Sequence, residues 1–132
     1  MSSTGQPPER GQKNSAIANL VVKLLSEYTG RGPTKARSYM NDELVTVVLR
    51  DTLTKGERSL VRDGKGELVL NVRLAFQQTM RDELVEGIEQ VTGRRVLAFL
   101  SANHMDPDIA IETFVLDGAA VADDLTVAPA PK

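Results

Sequence analysis

Residues 67–93, ELVLNVRLAFQQTMRDELVEGIEQVTG, followed by residues 96–103, VLAFLSAN, decide the fold of this chain. In the first stretch Val69, Val72, Phe76, Met80, Leu84, Ile88 and Val91 recur at spacings of three and four, the period of one helix face. Gly93 closes the pattern and suits a left-handed stop. The spacing predicts one helix over about 67–92, roughly 39 Å long at 1.5 Å per residue. The second stretch is almost wholly apolar and too short for a helix of that kind, so it reads as an interior strand. A helix this long exceeds the width of a small domain, which leaves part of its apolar stripe to pack on a second copy.

Working outward, Ile109 to Leu116 reads as a further strand, joined to the first by the loop His104-Met105-Asp106-Pro107-Asp108. Upstream, Thr54-Lys55-Gly56-Glu57 is a capping box that opens a short helix over about 55–62, broken by Asp63-Gly64-Lys65-Gly66. Before it, Ala36 to Met40 and Leu44 to Arg50 form a hairpin across Asn41-Asp42-Glu43. Val45, Val47 and Leu49 share one face of its second strand, and Leu44, Thr46 and Val48 the other. Both faces are mostly apolar, so that strand is expected to be covered on both sides or to lie in a dimer contact. Ile17, Leu20, Val21, Leu24, Leu25 and Tyr28 fall at helical spacing, predicting a first helix over about 15–29, capped by Asn14 or Ser15 and ended at Gly30. The order α-β-β-α-α-β-β argues for an α+β domain with a mostly antiparallel four-stranded sheet and the helices on one face. Residues 1–13 and 118–132 lack apolar periodicity and are expected to be disordered tails around a single domain at 14–117.

The composition narrows the chemistry. The chain has 132 residues, no Cys and one His, which removes disulfides, thiolate nucleophiles and Cys-ligated metals and leaves too little for a His-rich metal site. No stretch approaches the roughly 18 apolar residues needed to span a bilayer, so a cytoplasmic protein without direct membrane insertion is expected. The net charge of −2 hides an asymmetry: residues 1–74 carry 12 basic and 8 acidic side chains, residues 75–132 carry 4 and 10. Opposite fields of this kind suit self-association or a charged partner better than a wholly basic nucleic-acid surface.

Two groups of residues offer binding chemistry. Arg31, Gly32, Lys35 and Arg37 lie where the first helix gives way to a strand, with exposed amides and three cations that could hold an anion such as phosphate or bicarbonate. Arg94 and Arg95, just past a helix C-terminus, could add to an anion or partner contact, although cations there also favour the helix dipole. His104, Asp106 and Asp108 form the other group, a histidine beside carboxylates as proton transfer or metal binding would require. Such a loop between strands is more often merely solvated. Asp82, Glu83, Glu86 and Glu89 read as the wet face of the long helix. No serine has a His-acid relay around it. These residues identify no catalytic residue, cofactor site or metal site.

The chain resembles the MpsC-like family of small bacterial proteins. The likeness is carried by Glu27-Tyr28-Thr29-Gly30-Arg31-Gly32-Pro33, the hairpin from Arg37 to Leu49, Leu53-Thr54-Lys55-Gly56-Glu57 with Leu60, the helix from Arg73 to Gly93, and Phe114-Val115-Leu116, over about residues 14–117. Gly56 stands where proline is expected in many relatives. The resemblance implies a component of a sodium-translocating, membrane-potential-generating system that works alongside integral membrane subunits linked to inorganic-carbon uptake. It supplies no catalytic residues. The expected function is therefore that of a non-enzymatic accessory or regulatory protein, homodimeric, acting by protein contact at the inner face of the membrane. Two alternatives stand beside it. One is a KH-like nucleic-acid-binding module, suggested by the element order but lacking the GxxG clamp between its paired helices. The other is a small-anion sensor or minor enzyme using the Gly30 to Arg37 loop or His104 and Asp106.

Overall fold

The computed structural model describes residues 8–32 and 35–118. Its elements run α1 (Pro8–Thr29), β1 (Lys35–Asn41), β2 (Leu44–Arg50), α2 (Lys55–Arg62), α3 (Gly66–Thr92), β3 (Val96–His104) and β4 (Ile109–Leu116). The α+β order is the expected one, and the sheet is fully antiparallel with strand order β1-β2-β4-β3. Of the two expected tails, residues 1–7 and 119–132 lie outside the described residues.

The first helix begins earlier than the pattern of apolar residues indicates. Residues 8–13 are helical. They add no apolar side chain at helical spacing to betray them, but Pro8 sits in the first turn, where its missing amide would have had no intrahelical acceptor in any case. Asn14 therefore lies inside α1 instead of capping it. Its backbone carbonyl lies 2.6 Å from the Ser38 hydroxyl and ties α1 to β1.

α1 packs on β1 and on α3, while α3 packs on β3 and α2 on α3. α1 and α3 thus cover one face of the sheet, and α2 leans on α3. Between the layers Ile17, Val21, Leu24 and Leu25 of α1 meet Val45, Val47 and Leu49 of β2, Phe114 and Leu116 of β4, and Met80, Leu84 and Ile88 of α3. Phe99 of β3 stacks on Phe114 with ring centroids 5.0 Å apart. The capping box is complete: the Glu57 amide donates to the Thr54 hydroxyl at 3.1 Å, and the Thr54 amide donates to the Glu57 carboxylate at 2.8 Å. Gly93 ends α3 with φ 73°, where a Cβ would be strained.

The buried stripe of α3 differs from the expected one in its first half. It runs Val69, Arg73, Gln77, Met80, Leu84, Ile88, with Thr92 in place of Val91 at its end. Val72 is exposed and Phe76 half-buried. From Val69 the stripe steps by four to Arg73 and again to Gln77, which carries polar residues inward. A partner for those polar groups waits on the sheet.

Candidate functional site

Two features of the sheet stand out, one on each face. On the inner face, β4 alternates Ala110, Glu112, Phe114 and Leu116 toward the helices, so one carboxyl sits in an apolar row. Glu112 is 1% exposed. The Ser101 hydroxyl from β3 donates to it, and the Gln77 side-chain amide from α3 donates at 3.3 Å. Gln77 and Asn103 exchange amide hydrogen bonds at 3.1 and 3.2 Å. Arg73, one turn before Gln77, donates to the Thr52 carbonyl at 2.7 Å and to the Glu57 carboxylate at 3.0 Å. Among the described residues its buried Nε has no hydrogen-bond partner. Burial pushes the Glu112 carboxyl up to about 7, against the opposing pull of Ser101, Gln77 and the Arg73 charge. A hollow of about 250 Å³ bounded by Leu74, Gln77, Phe99 and Ser101 opens beside this network.

On the outer face no helix covers the strands. The register aligns Tyr39, Thr46, Thr113 and Leu100 in one row and Arg37, Val48, Ile111 and Ala102 in the next. Tyr39 and Leu100 remain 52% and 56% exposed. The Thr46 and Thr113 hydroxyls meet at 3.3 Å in the middle of the sheet. No outward-facing strand position is acidic, although the chain as a whole is. At one corner Lys35, Arg37 and Arg50 surround a hollow of about 470 Å³ walled by Tyr39 and Val48.

The basic residues singled out by sequence are dispersed. Arg31 donates to the Asp51 carbonyl and lies 3.3 Å from the Asp51 carboxylate, which also receives Arg58 at 2.8 Å. It braces the loop after β2. Gly32 fits closely there, since a Cβ would meet the Ser26 hydroxyl at 2.8 Å. Arg94 donates to the carbonyls of Asp117 at 2.8 Å and of Asp42 at 2.8 Å, stitching the β1–β2 turn to the end of β4. Arg95 is exposed beside it. Only Lys35 and Arg37 come together, and Arg50 joins them. Arg50 escaped notice because a cation ending a strand is ordinary; its register opposite Lys35 is what matters.

The loop cluster does not converge either. The His104 Nδ1 donates to the Pro107 carbonyl at 2.8 Å. Asp108 turns the other way, accepting from the Thr52 hydroxyl at 3.0 Å and the Leu53 amide at 2.8 Å, so it holds the segment leading into α2. Asp106 lies on the rim of a shallow hollow with Arg58 and Arg62. Among the described residues no group of three or more His, Asp or Glu side chains is placed to hold a metal ion.

The chain matches the family described as Na+-translocating membrane potential-generating system (MpsC) over residues 9–118. It is also similar to the uncharacterized protein YrhF of Bacillus subtilis (strain 168), 25% identical over 101 residues that cover 75% of this chain and 83% of that protein. No solved structure matches it. The family match starts one residue into α1 and ends two residues past β4, taking in both faces of the sheet and all three helices. The chain belongs to the MpsC family.

Proposed function

We propose that the protein is a non-enzymatic accessory component of a Na+-translocating membrane system, and that it works by docking the outer face of its sheet on a subunit of that system from the cytosolic side. Family membership supplies the context. The observation that carries the docking is the uncovered sheet face, where Tyr39 and Leu44 on one side and Ile111 and Leu100 on the other stand exposed about the Thr46 and Thr113 pair. Contiguous apolar patches on otherwise charged proteins mark interaction sites. Among the described residues no helix is long and apolar enough to cross a membrane, so attachment through a partner subunit is the fitting mode.

A second copy of the chain is the competing occupant. Face-to-face pairing would bring together six cations and no strand carboxylate, which weighs against it. The test is purification of tagged full-length protein from its own membranes after cross-linking, beside a Tyr39→Glu, Leu100→Glu variant. The expected result is recovery of integral subunits of a cation-translocating system with the parent chain and their loss with the variant, at unchanged circular dichroism. Recovery that survives the variant overturns the sheet face as the docking surface. Sedimentation equilibrium of the purified parent as a dimer that the variant dissociates assigns the face to self-association instead.

A further inference from the structure

Lys35 and Arg50 stand directly opposite each other across β1 and β2. Like charges in that position destabilise a sheet by a few tenths to about 1 kcal/mol. Arg37 lies two residues along the same face, about 7 Å from Lys35. The nearby ion pairs pass them by: the Asp51 carboxylate takes Arg31 and Arg58, and among the described residues none of the three cations makes an ion pair. No outward strand position supplies a carboxylate. The three therefore concentrate positive charge at one corner of a chain whose net charge is −2. They do so around a hollow of about 470 Å³.

The chemistry of the corner selects its ligand. A single carboxylate carries one charge and would leave two of the cations uncompensated. A phosphate group carries up to two charges on three free oxygens, enough to accept from two guanidinium forks and one ammonium. Tyr39 adds a phenol to the rim, and the Val48 side of the hollow offers an apolar wall to whatever organic group the phosphate bears. We propose that the corner formed by Lys35, Arg37, Tyr39 and Arg50 is a binding site for a phosphate monoester group, borne by a soluble ester or by phosphatidic acid in a membrane surface.

This site does not depend on the docking reading, because it uses the edge of the face and needs no protein partner. The test follows backbone amide resonances of full-length protein during titration with glycerol 3-phosphate and, separately, sedimentation with phosphatidic acid vesicles against phosphatidylcholine vesicles, at matched ionic strength. The expected result is saturable shifts confined to residues 35–39 and 48–50, or sedimentation that depends on phosphatidic acid. An Arg37→Ala, Arg50→Ala variant should weaken either by about tenfold or more, since charge-assisted hydrogen bonds contribute about 1.5–3 kcal/mol each. That variant removes a like-charge pair, so it should melt no lower than the parent. Saturation by glycerol 3-phosphate without vesicle binding identifies a soluble ester. Vesicle binding that glycerol 3-phosphate does not displace identifies a headgroup. Binding of neither, equal binding by the variant, shifts reproduced by chloride, or binding of single-stranded RNA alone overturns the proposal.

Discussion

On the inner face of the sheet Val45, Val47, Leu49 and Phe114 are sealed under α1 and α3, whereas on the outer face the same sheet holds Thr46, Val48, Ile111 and Leu100 toward solvent. The inner face admits one ionisable group, Glu112, and surrounds it with Ser101, Gln77 and, a turn away, Arg73. The outer face admits three cations without a single partner among the described residues. Water explains the contrast. A buried charge must be hydrogen-bonded or neutralised, while a solvated one needs neither. The two faces therefore state their purposes differently: satisfaction of polar groups marks the structural face, and unsatisfied charge beside exposed apolar surface marks the face left for something else.

The largest expected effect tests that division directly. Phe114→Ala removes a fully buried ring that stacks on Phe99 and should cost about 3–5 kcal/mol in urea unfolding. Leu100→Ala, one strand away on the other face, should change stability by no more than about 0.5 kcal/mol. A cost for Leu100→Ala above about 2 kcal/mol that fades on dilution would break the comparison, because it would mean that a second copy buries the outer face.

Much of this was legible in the sequence, and what was missed has a common cause. The stops at Gly30 and Gly93, the capping box at Thr54 and Glu57, and the two faces of β2 follow from local chemistry that acts within a few residues. The start of α1 at Pro8 did not, because residues 8–13 add no apolar period. The stripe of α3 was misjudged where Val72 and Phe76 competed with Arg73 and Gln77. Hydrophobicity favours the former pair, but Glu112 on a distant strand rewards the latter. Likewise Arg31 and Arg94 looked like free cations until the fold brought the Asp51 carboxylate and the Asp117 carbonyl to them. Partners twenty or more residues away decide which polar groups are structural, and spacing along one chain does not reveal them.

The next effect probes the inner face through pH. Glu112 titrates at about 7 in the folded protein and in the usual carboxylate range when unfolded. Its folded value is raised, so the folded state holds the proton more tightly. The resulting stability is fully present below about pH 4.5 and is lost as pH rises through about 7. The groups facing it are Arg73 and Gln77 from α3 and Ser101 and Asn103 from β3, with Glu57 of α2 held on Arg73. Glu112→Gln keeps the shape of the protonated acid, accepting from Gln77 while its amide donates to a Ser101 hydroxyl turned to accept, but it cannot ionise. It should match the parent near pH 5 and exceed it above about pH 8, by on the order of 1–3 kcal/mol. A melting-temperature difference that stays constant across that range would mean that the carboxyl is ionised throughout, and that the inner face tolerates charge as the outer one does.

The smallest effect is the most telling for the outer face, because its sign is opposite to that of most substitutions. Replacing Lys35 by Thr removes one member of the cross-strand pair with Arg50, and threonine favours a half-exposed strand position. Stability should rise by about 0.2–1 kcal/mol, and the gain should shrink as added salt screens the repulsion that the parent suffers. Arg50→Thr should do the same, and the double variant should gain less than the sum of the two, since either change alone already relieves the shared repulsion. Melting curves of the three variants at low and high salt supply the whole cycle. Additive gains that ignore salt would show that the two cations do not sense each other. The outer corner would then be ordinary surface, and the contrast between a satisfied inner face and a charged, waiting outer one would lose its sharpest point.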